Sequence, residues 1–180
     1  MAKILLLCST VEGQTARIAG RLAERLRGAG HGVELHEASA AKALPPLDSY
    51  DALLVGASVH YGRHPAFLAS ALKRQGGALA SRPGAFFSVS LSADGPGAKP
   101  QAAARYVAKF LRRIGWQPVQ TAAFGGALRY TEYPAWKRFL VGLFVRLAGG
   151  DTDKSRDYEY TDWGAVERFA DAFAQSLTRA

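Results

Sequence analysis

A cluster of hydroxyl-bearing and small residues lies between the first apolar run of the chain and a helical pattern. The cluster contains no lysine, whereas a loop that binds nucleoside triphosphates follows the pattern GxxxxGK[ST]. Hydroxyl groups and the free N–H groups of a helix N-terminus are sufficient to hold one monophosphate group. FMN is the common cofactor with a single terminal phosphate, so we interpret the cluster as an FMN phosphate loop; the alternative is a plain turn with a helix cap. Its residues are Ser9, Thr10, Val11, Glu12, Gly13, Gln14 and Thr15.

Small and polar residues also follow three later apolar runs, at residues 56–62, 88–95 and 125–130. The first of these loops contains Tyr61, whose flat ring is suited to stacking on a cofactor ring. Four such loops at one edge of a sheet are typical of a site for a planar ligand that carries a phosphate. The alternative is that all four are ordinary turns.

Other residues with chemical potential give weaker signals. The four histidines and the single cysteine show no spacing typical of metal ligands, so we expect no metal site. We identify no catalytic acid or base, and we expect His64 to lie at the surface or to cap a helix. Cys8 lies within the first apolar run, which favours a buried and unreactive thiol.

The elements that must position these loops alternate along the chain. Continuously apolar runs separated by helical patterns indicate an α/β fold, namely a doubly wound parallel sheet with helices on both faces. We expect five strands in the order 2-1-3-4-5, an irregular or short helical connection at 38–51, and a ligand at the carboxyl ends of the strands. The predicted strands are 4–8, 33–35, 52–55, 85–89 and 119–124. The predicted helices are 15–27, 65–75, 101–114 and 163–177, the last with Asp162 as its cap.

Length and composition limit the classes of protein that fit. The 180 residues fit one domain, 1–180, and a content of 48% hydrophobic and 21% charged residues excludes a disordered chain. The formal net charge of +8 indicates an acidic partner, but no nucleic-acid-binding motif accompanies it. Because the chain has no secretory cleavage pattern and one cysteine, we expect a mature cytoplasmic protein.

The segment formed by residues 128–162 is much longer than an ordinary connection between a strand and a helix. Within them an apolar stripe recurs with helical spacing, and Lys137 and Arg138 fall on the other side. The predicted helix is too short and too charged to span a membrane. It either packs on the sheet or lies in a membrane interface. The stripe comprises Trp136, Phe139, Leu140, Leu143, Phe144 and Leu147.

With these motifs in place, the chain resembles the flavodoxin-type, quinone-dependent protoporphyrinogen IX dehydrogenases of bacteria over nearly its whole length. The hydroxyl-rich cluster is shared with flavodoxins generally, whereas three later motifs are more specific to this family. The resemblance implies a flavodoxin-like fold with a segment inserted after the fifth strand. The three later motifs are Gly126-Ala127-Leu128-Arg129-Tyr130, Gly149-Gly150-Asp151-Thr152-Asp153 and Tyr160-Thr161-Asp162-Trp163.

The resemblance also implies an activity. Such enzymes use FMN to remove six electrons from protoporphyrinogen IX in three two-electron steps and pass them to menaquinone or another respiratory quinone in haem synthesis. The cluster 9–15 would then hold the phosphate. Two further loops would flank the isoalloxazine and ribityl groups. Their residues are Ala57, Ser58, Val59, His60, Tyr61 and Gly62 in one loop, and Ser88, Val89, Ser90 and Leu91 in the other.

A porphyrinogen has an oily macrocycle and two propionates, which basic residues beside apolar surface would match. We therefore predict that the insert forms part of the substrate site and contacts the inner face of the cell membrane. The predicted substrate-binding residues are Arg129, Tyr130, Lys137 and Arg138. The oligomeric state stays open. Departures from the family pattern occur at Val11, His60 and Ser90, where relatives often have basic residues or Asn.

Three alternatives remain. A flavodoxin that acts as an electron carrier is usually acidic, and the charge of +8 argues against it. An NAD(P)H:quinone reductase would need a second nucleotide site, and the chain has no GxGxxG fingerprint. A flavin-free binding module would use the same fold without a cofactor.

Overall fold

A five-stranded parallel sheet forms the centre of the computed structural model, which describes residues 1–134, 139 and 153–178. The strand order is 2-1-3-4-5, which confirms the predicted topology. Pairing joins Ser9 to Ala57 and Ser90 to Gly125, so four strands end close together at one edge. The strands are β1 Lys3–Ser9, β2 Gly32–Glu37, β3 Ala52–Ser58, β4 Gly84–Ser90 and β5 Gln120–Gly125.

Burial separates the central strands from the edge strands. All seven residues of β3 and of β4 are buried, as the continuous apolar runs predict for strands covered on both faces. Strand β2 contains no buried residue and Leu35 is exposed, because β2 lies at the edge of the sheet. This edge position explains why only a weak apolar run marks β2 in the sequence.

Helices cover both faces of the sheet. Helices α1 and α5 pack against one face, and α2 and α4 pack against the other. Asp162 caps α5 as predicted, since its carboxylate accepts the Ala165 N–H at 2.9 Å. The helices are α1 Gln14–Gly28, α2 Ala66–Arg74, α3 Gly76–Ala80, α4 Pro100–Ile114 and α5 Trp163–Thr178.

The connection at 38–51 agrees with the prediction, whereas the segment after the predicted helix 65–75 differs from it. Gly76 and Gly77 directly follow the predicted helix 65–75, where glycine would indicate a helix end, but they begin the short helix α3, because Gln75 leaves helical geometry between the two segments. The Gln75 side chain accepts the Leu47 N–H at 3.0 Å, which ties this break to the connection at 38–51. That connection contains one 3-10 turn, Leu47–Ser49, in agreement with the expected short helical crossing.

A two-stranded antiparallel ribbon closes the base of the predicted insert. Strand β6 (Ala127–Leu128) pairs with β7 (Tyr158–Glu159), and neither is predicted from the sequence. Aromatic side chains pack around this ribbon and form what we call the tyrosine cluster. Its members are Leu128, Tyr130, Tyr133, Tyr158 and Tyr160.

Most of the amphipathic helix predicted within the insert, including Lys137 and Arg138, lies outside the described residues; Phe139 is described and exposed. Within the described part of the chain, no helix is both long enough and apolar enough to cross a membrane.

Candidate cofactor site

The first loop of the site joins the end of β1 to the start of α1. Gly13 precedes the helix with φ of +82°, a conformation that costs glycine nothing and other residues about 1 to 2 kcal/mol. Its N–H donates to Thr10 Oγ1 at 3.0 Å, which closes the loop. The first helical hydrogen bond runs from the Arg17 N–H to the Gly13 carbonyl at 3.0 Å.

This geometry leaves the helix N-terminus open to a ligand. The N–H groups of Gln14, Thr15 and Ala16 precede the first helical bond, and Gly13 has no side chain to cap them. The loop carries no basic residue, so the helix dipole and these N–H groups supply the attraction for an anion. An open helix N-terminus of this kind is suited to one phosphate group that stays in place.

Glu12 is a carboxylate within this loop, and the structure accounts for it. Its Oε2 accepts a hydrogen bond from the Tyr133 hydroxyl at 2.5 Å. Burial and the Glu12 charge both raise the pKa of Tyr133, so this tyrosine stays protonated and keeps donating. The Glu12 carboxylate is therefore hydrogen-bonded to a member of the tyrosine cluster.

Gln14 connects the loop to both ends of the insert. Its Nε2 donates to Thr161 Oγ1 at 2.8 Å, and Thr161 Oγ1 donates to the Gly125 carbonyl at 2.8 Å. Its Oε1 accepts a hydrogen bond from Arg129 at 3.4 Å. The side chain of Gln14 thus binds within the protein, and its contribution to an anion site is its backbone N–H.

The second loop follows β3 and presents Tyr61. Hydrogen bonds between the backbones of His60 and Arg63, at 2.9 and 3.1 Å, close a tight turn with Tyr61 and Gly62 at its tip. Tyr61 has φ of +49° and is 96% exposed. A non-glycine residue in this conformation costs about 1 to 3 kcal/mol, and such strain is common at ligand sites. The turn holds the tyrosine ring outward at the cofactor edge.

Two buried hydroxyl groups at this edge lack partners. Ser58 Oγ ends β3 and Ser90 Oγ ends β4, and neither has a hydrogen-bond partner among the described residues. A buried hydroxyl left unsatisfied costs about 1 to 3 kcal/mol. A ligand with hydroxyl or carbonyl groups at the strand ends would satisfy both, and the ribityl chain and ring system of FMN have such groups. The residues present therefore fit FMN.

Ser88 differs from Ser58 and Ser90 because it has a protein partner. Its Oγ lies 2.9 Å from His64 Nε2, and the His64 ring packs against Phe86 and Phe110. The prediction that His64 is a surface or capping residue is wrong, since only 6% of it is exposed. Burial lowers the pKa of His64 to about 4, so the imidazole is neutral near pH 7.

The remaining residues of the predicted cofactor loops divide by exposure. Ala57 and Val89 are buried strand residues, and the Val59 N–H donates to the Val89 carbonyl at 2.9 Å. Val11 and Leu91 are exposed apolar side chains at the same edge.

A cavity of about 430 Å³ adjoins the loops, a volume within the range of small-molecule sites. It lies between residues 9–11, 37–40 and 60–67. The loop after β2 contributes to this wall, although nothing in residues 37–40 marks it in the sequence. A second cavity of the same volume lies between α1 and α5, but paired charges of Arg21 with Glu167 and of Arg25 with Asp171 line it.

Of the predicted substrate-binding residues, the structure describes Arg129, which is partly exposed, and Tyr130, which is buried. The Arg129 side chain is 22% exposed and lies 3.9 Å from Asp157. Tyr130 is fully buried in the tyrosine cluster, so it could contact a ligand only if that cluster opened. Lys137 and Arg138 lie outside the described residues. No group of three His, Cys, Asp or Glu side chains in the described part of the chain is arranged to hold a metal ion.

Cys8 is buried beneath the phosphate loop, as predicted. Burial, and to a lesser degree the Glu37 charge, raise its pKa to about 11. The thiol is therefore a packing group and not a nucleophile.

Comparison with known proteins agrees with this geometry. The family described as Flavodoxin domain matches residues 5–155. The protoporphyrinogen IX dehydrogenase [quinone] of Escherichia coli strain K12 is 36% identical over 168 residues, which cover 93% of this chain and 92% of that protein. The protein of the same name from Leishmania major is 34% identical over 176 residues, which cover 96% of this chain and 74% of that protein.

Solved structures agree on the fold. Oxidised flavodoxin 2 from Bacillus cereus superimposes with a TM-score of 0.59 at 21% identity, over 97% of this chain and 99% of that chain. A short-chain flavodoxin associated with a bacterial microcompartment gives a TM-score of 0.60 at 10% identity, over 99% and 98% of the two chains. At these identities the similarity concerns the fold alone.

Proposed function

The chain belongs to the flavodoxin domain family and, within it, to the quinone-dependent protoporphyrinogen IX dehydrogenases, and on that basis we propose that it oxidises protoporphyrinogen IX to protoporphyrin IX with FMN as cofactor and a quinone as electron acceptor. The observation that carries this proposal is the open, lysine-free helix N-terminus after β1 in a chain that is 36% identical to enzymes of this name.

The chain's own residues would hold FMN at the carboxyl edge of the sheet. The N–H groups of Gln14 and Thr15, with the hydroxyl groups of Ser9 and Thr10, would bind the phosphate. Residues 57–62 and 88–91 would flank the ribityl and ring groups, with Ser58 and Ser90 as the hydroxyl groups that gain partners. Bound FMN supplies the acceptor for hydride equivalents.

The protein's contribution to the chemistry is position and exclusion of water. Because its pKa lies near 4, His64 is neutral and cannot serve as a cationic acid near pH 7. It hydrogen-bonds to Ser88 instead, and its ring packs against Phe86 and Phe110 at the wall of the cavity. We assign no general acid or base to this chain.

The substrate would approach at the base of the insert. Arg129 is partly exposed there, and a propionate of the porphyrinogen could replace its distant contact with Asp157. Lys137 and Arg138 would bind the second propionate. The position of Arg129 beside Gln14 supports this placement, because it brings the substrate group next to the cofactor loop.

The proposal also names the electron acceptor and the cellular location of the protein. Menaquinone or another respiratory quinone would receive the electrons, and the protein would associate peripherally with the cytoplasmic face of the cell membrane. A net charge of +8 and the amphipathic pattern within residues 128–162 support this association. Neither an electron carrier nor an NAD(P)H:quinone reductase is favoured by the names of the relatives.

Steady-state turnover tests this function. FMN-loaded protein is mixed under anaerobic conditions with protoporphyrinogen IX and a menaquinone analogue, and porphyrin fluorescence is followed. We expect fluorescence to rise beyond the small amount that the bound FMN alone can produce only when protein and quinone are both present. Absence of porphyrin, together with bleaching of the flavin by NADPH, would favour the reductase instead.

A further inference from the structure

Charge is distributed unequally between the two helix layers. Residues 66–114, which include α2, α3 and α4, contain eight lysine and arginine residues and one acidic residue, Asp94. In the opposite layer, arginine side chains of α1 pair with carboxylates in or just before α5. These pairs are Arg17 with Glu159, Arg21 with Glu167 and Arg25 with Asp171.

Three of the four bases of α4 lie opposite its buried face. Ala103, Val107, Phe110 and Ile114 are the buried positions of this helix. The first three each have a basic residue two positions later, which is about 200° further around the helix axis. These three bases, Arg105, Lys109 and Arg112, are exposed and form no ion pair with any residue that the structure describes. We call them the α4 basic face.

The α4 basic face begins beside the cofactor edge. Tyr106, next to Arg105, packs against Gly62, since a Cβ at Gly62 would lie 3.8 Å from the Tyr106 ring. Gly62 belongs to the turn that holds the exposed Tyr61. An exposed aromatic ring beside a row of lysine and arginine residues is typical of protein surface at a membrane interface.

We propose that the α4 basic face binds anionic phospholipid head groups and thereby sets the cofactor edge beside the bilayer, an inference that rests on the proposed function for its choice of a membrane as partner. Each lysine or arginine near an anionic leaflet contributes substantially to binding, and unpaired side chains contribute most because no protein carboxylate must be displaced. A quinone dissolved in the bilayer then reaches the cofactor edge without leaving the lipid.

Other anionic partners fit the α4 basic face less well. The three bases follow one helical turn after another on a convex helix surface, and phosphate groups spread in a plane can meet all of them. A nucleic-acid interface would also need side chains that read base edges or stack on bases. The exposed neighbours Ala104 and Ala108 can do neither, and the exposed ring of Tyr61 lies on the turn after β3, not on α4.

Vesicle binding tests the proposal with full-length FMN-loaded protein. The test variant is Arg105→Gln/Lys109→Gln/Arg112→Gln, and the vesicles contain phosphatidylglycerol and phosphatidylcholine in equal parts or phosphatidylcholine alone. We expect the unchanged protein to sediment with the anionic vesicles only. In the test variant the partition coefficient should fall on the order of 100-fold, because three bases near the surface are lost.

A control variant, Arg27→Gln/Lys42→Gln/Arg168→Gln, has the same net charge but changes exposed bases elsewhere. It should retain binding within a few-fold, and thermal melting should show both variants folded. Equal loss in both variants, full binding by the test variant, or tighter binding of the unchanged protein to a short DNA duplex than to the vesicles would each overturn the proposal.

Turnover without vesicles separates this proposal from the proposed function. With a water-soluble short-chain quinone, the test variant should form protoporphyrin at the unchanged protein's rate, because none of its three residues lies in the cofactor loops. If neither the unchanged protein nor the test variant forms porphyrin, the proposed enzymatic function would be disproved even if both bind vesicles. The reason for choosing a membrane as the partner would then be lost as well. If turnover is intact but the two triple variants bind vesicles equally, only the proposed lipid-binding role of the α4 basic face would be disproved.

Discussion

At the scale of single residues, the site depends on groups that the protein leaves without partners. Ser58 and Ser90 keep buried hydroxyl groups unsatisfied, and Gly13 leaves a helix N-terminus without a side-chain cap. Each of these features costs stability in the free protein. A bound cofactor that satisfies them recovers that cost, so binding of FMN and stability should be coupled.

Gly13 provides a direct test of the open N-terminus. Gly13→Ala should destabilise the protein by about 1 to 2 kcal/mol, since alanine must adopt φ of +82° with no steric clash to add. It should also weaken FMN binding about tenfold or more, because relief of this strain moves the N–H groups that we propose to hold the phosphate. Flavin fluorescence titration and urea unfolding measure the two effects.

Gly30→Ala is the matched control, because Gly30 has φ of +88°, equally open surroundings and a position beyond the other end of α1. It should cost similar stability and leave the FMN dissociation constant unchanged. Equal loss of FMN affinity in both variants would show that the loop has no special role.

His64 predicts a pH dependence of stability. Its pKa of about 4 in the folded protein lies below its unfolded value near 6.5, so the unfolded chain binds more protons between these values. Stability due to the neutral imidazole is complete above pH 6.5 and is lost as the pH falls towards 4, by a few kcal/mol. Urea unfolding at pH 7 and pH 5 should show this loss in the unchanged protein and a smaller loss in His64→Gln.

Glutamine can still hydrogen-bond to Ser88 but does not titrate, so this variant separates protonation from loss of the contact. An unchanged loss of stability in His64→Gln would mean that another group controls it.

At the scale of elements, the sequence predicts the strands and helices whose residue pattern repeats along the chain. It does not predict pairing between segments that lie far apart in the sequence. The apolar runs predict five strands, the second from a weak run only, and the helical periods predict four helices, because each signal spans several residues of one element. Strands β6 and β7 have two residues each and pair across the insert, so no periodicity marks them. The glycine pair at the start of α3 looks like a stop signal because glycine also follows helix ends.

The candidate site also has features that the sequence predicts and contacts that only the folded structure reveals. Its four loops are predictable, because they follow the carboxyl ends of parallel strands. The partners of Glu12, Gln14 and His64 are not, since they lie 121, 147 and 24 residues away along the chain. The hydroxyl-rich motif therefore gives the position of the cofactor loop, whereas its links to the insert require the fold.

Tyr133 links the tyrosine cluster to the phosphate loop, and this link can be tested. Tyr133→Phe removes the hydroxyl that donates to the Glu12 carboxylate beside the proposed phosphate site. FMN binding should weaken about tenfold, as expected for one hydrogen bond to a charged group. Isothermal titration of FMN measures the change.

Tyr158→Phe, in the same cluster but bonded to Arg156, should leave FMN affinity within about twofold, since its hydroxyl does not reach the loop. Adding Glu12→Gln to Tyr133→Phe should recover most of the lost affinity, because a negative charge beside the proposed phosphate site is gone. Unchanged FMN binding in Tyr133→Phe would show that the insert and the loop are independent.

At the scale of the whole molecule, three properties describe one enzyme. The carboxyl edge of the sheet is the proposed cofactor site, Arg129 and the tyrosine cluster lie beside that edge, and residues 66–114, which include α2 and α4, carry most of the net positive charge. A small electron carrier needs only the first property. The other two are what a protein needs if it binds an anionic macrocycle and delivers electrons at a membrane.

The most direct test of the central claim is a stoichiometric reaction without quinone. FMN-loaded protein in excess is mixed anaerobically with protoporphyrinogen IX, and loss of flavin absorbance and gain of porphyrin fluorescence are recorded together. The account predicts three equivalents of FMN reduced for each protoporphyrin IX formed, because each flavin accepts two of the six electrons. Flavin that stays oxidised while the porphyrinogen is unchanged, or a protein that cannot be loaded with FMN at all, would contradict it.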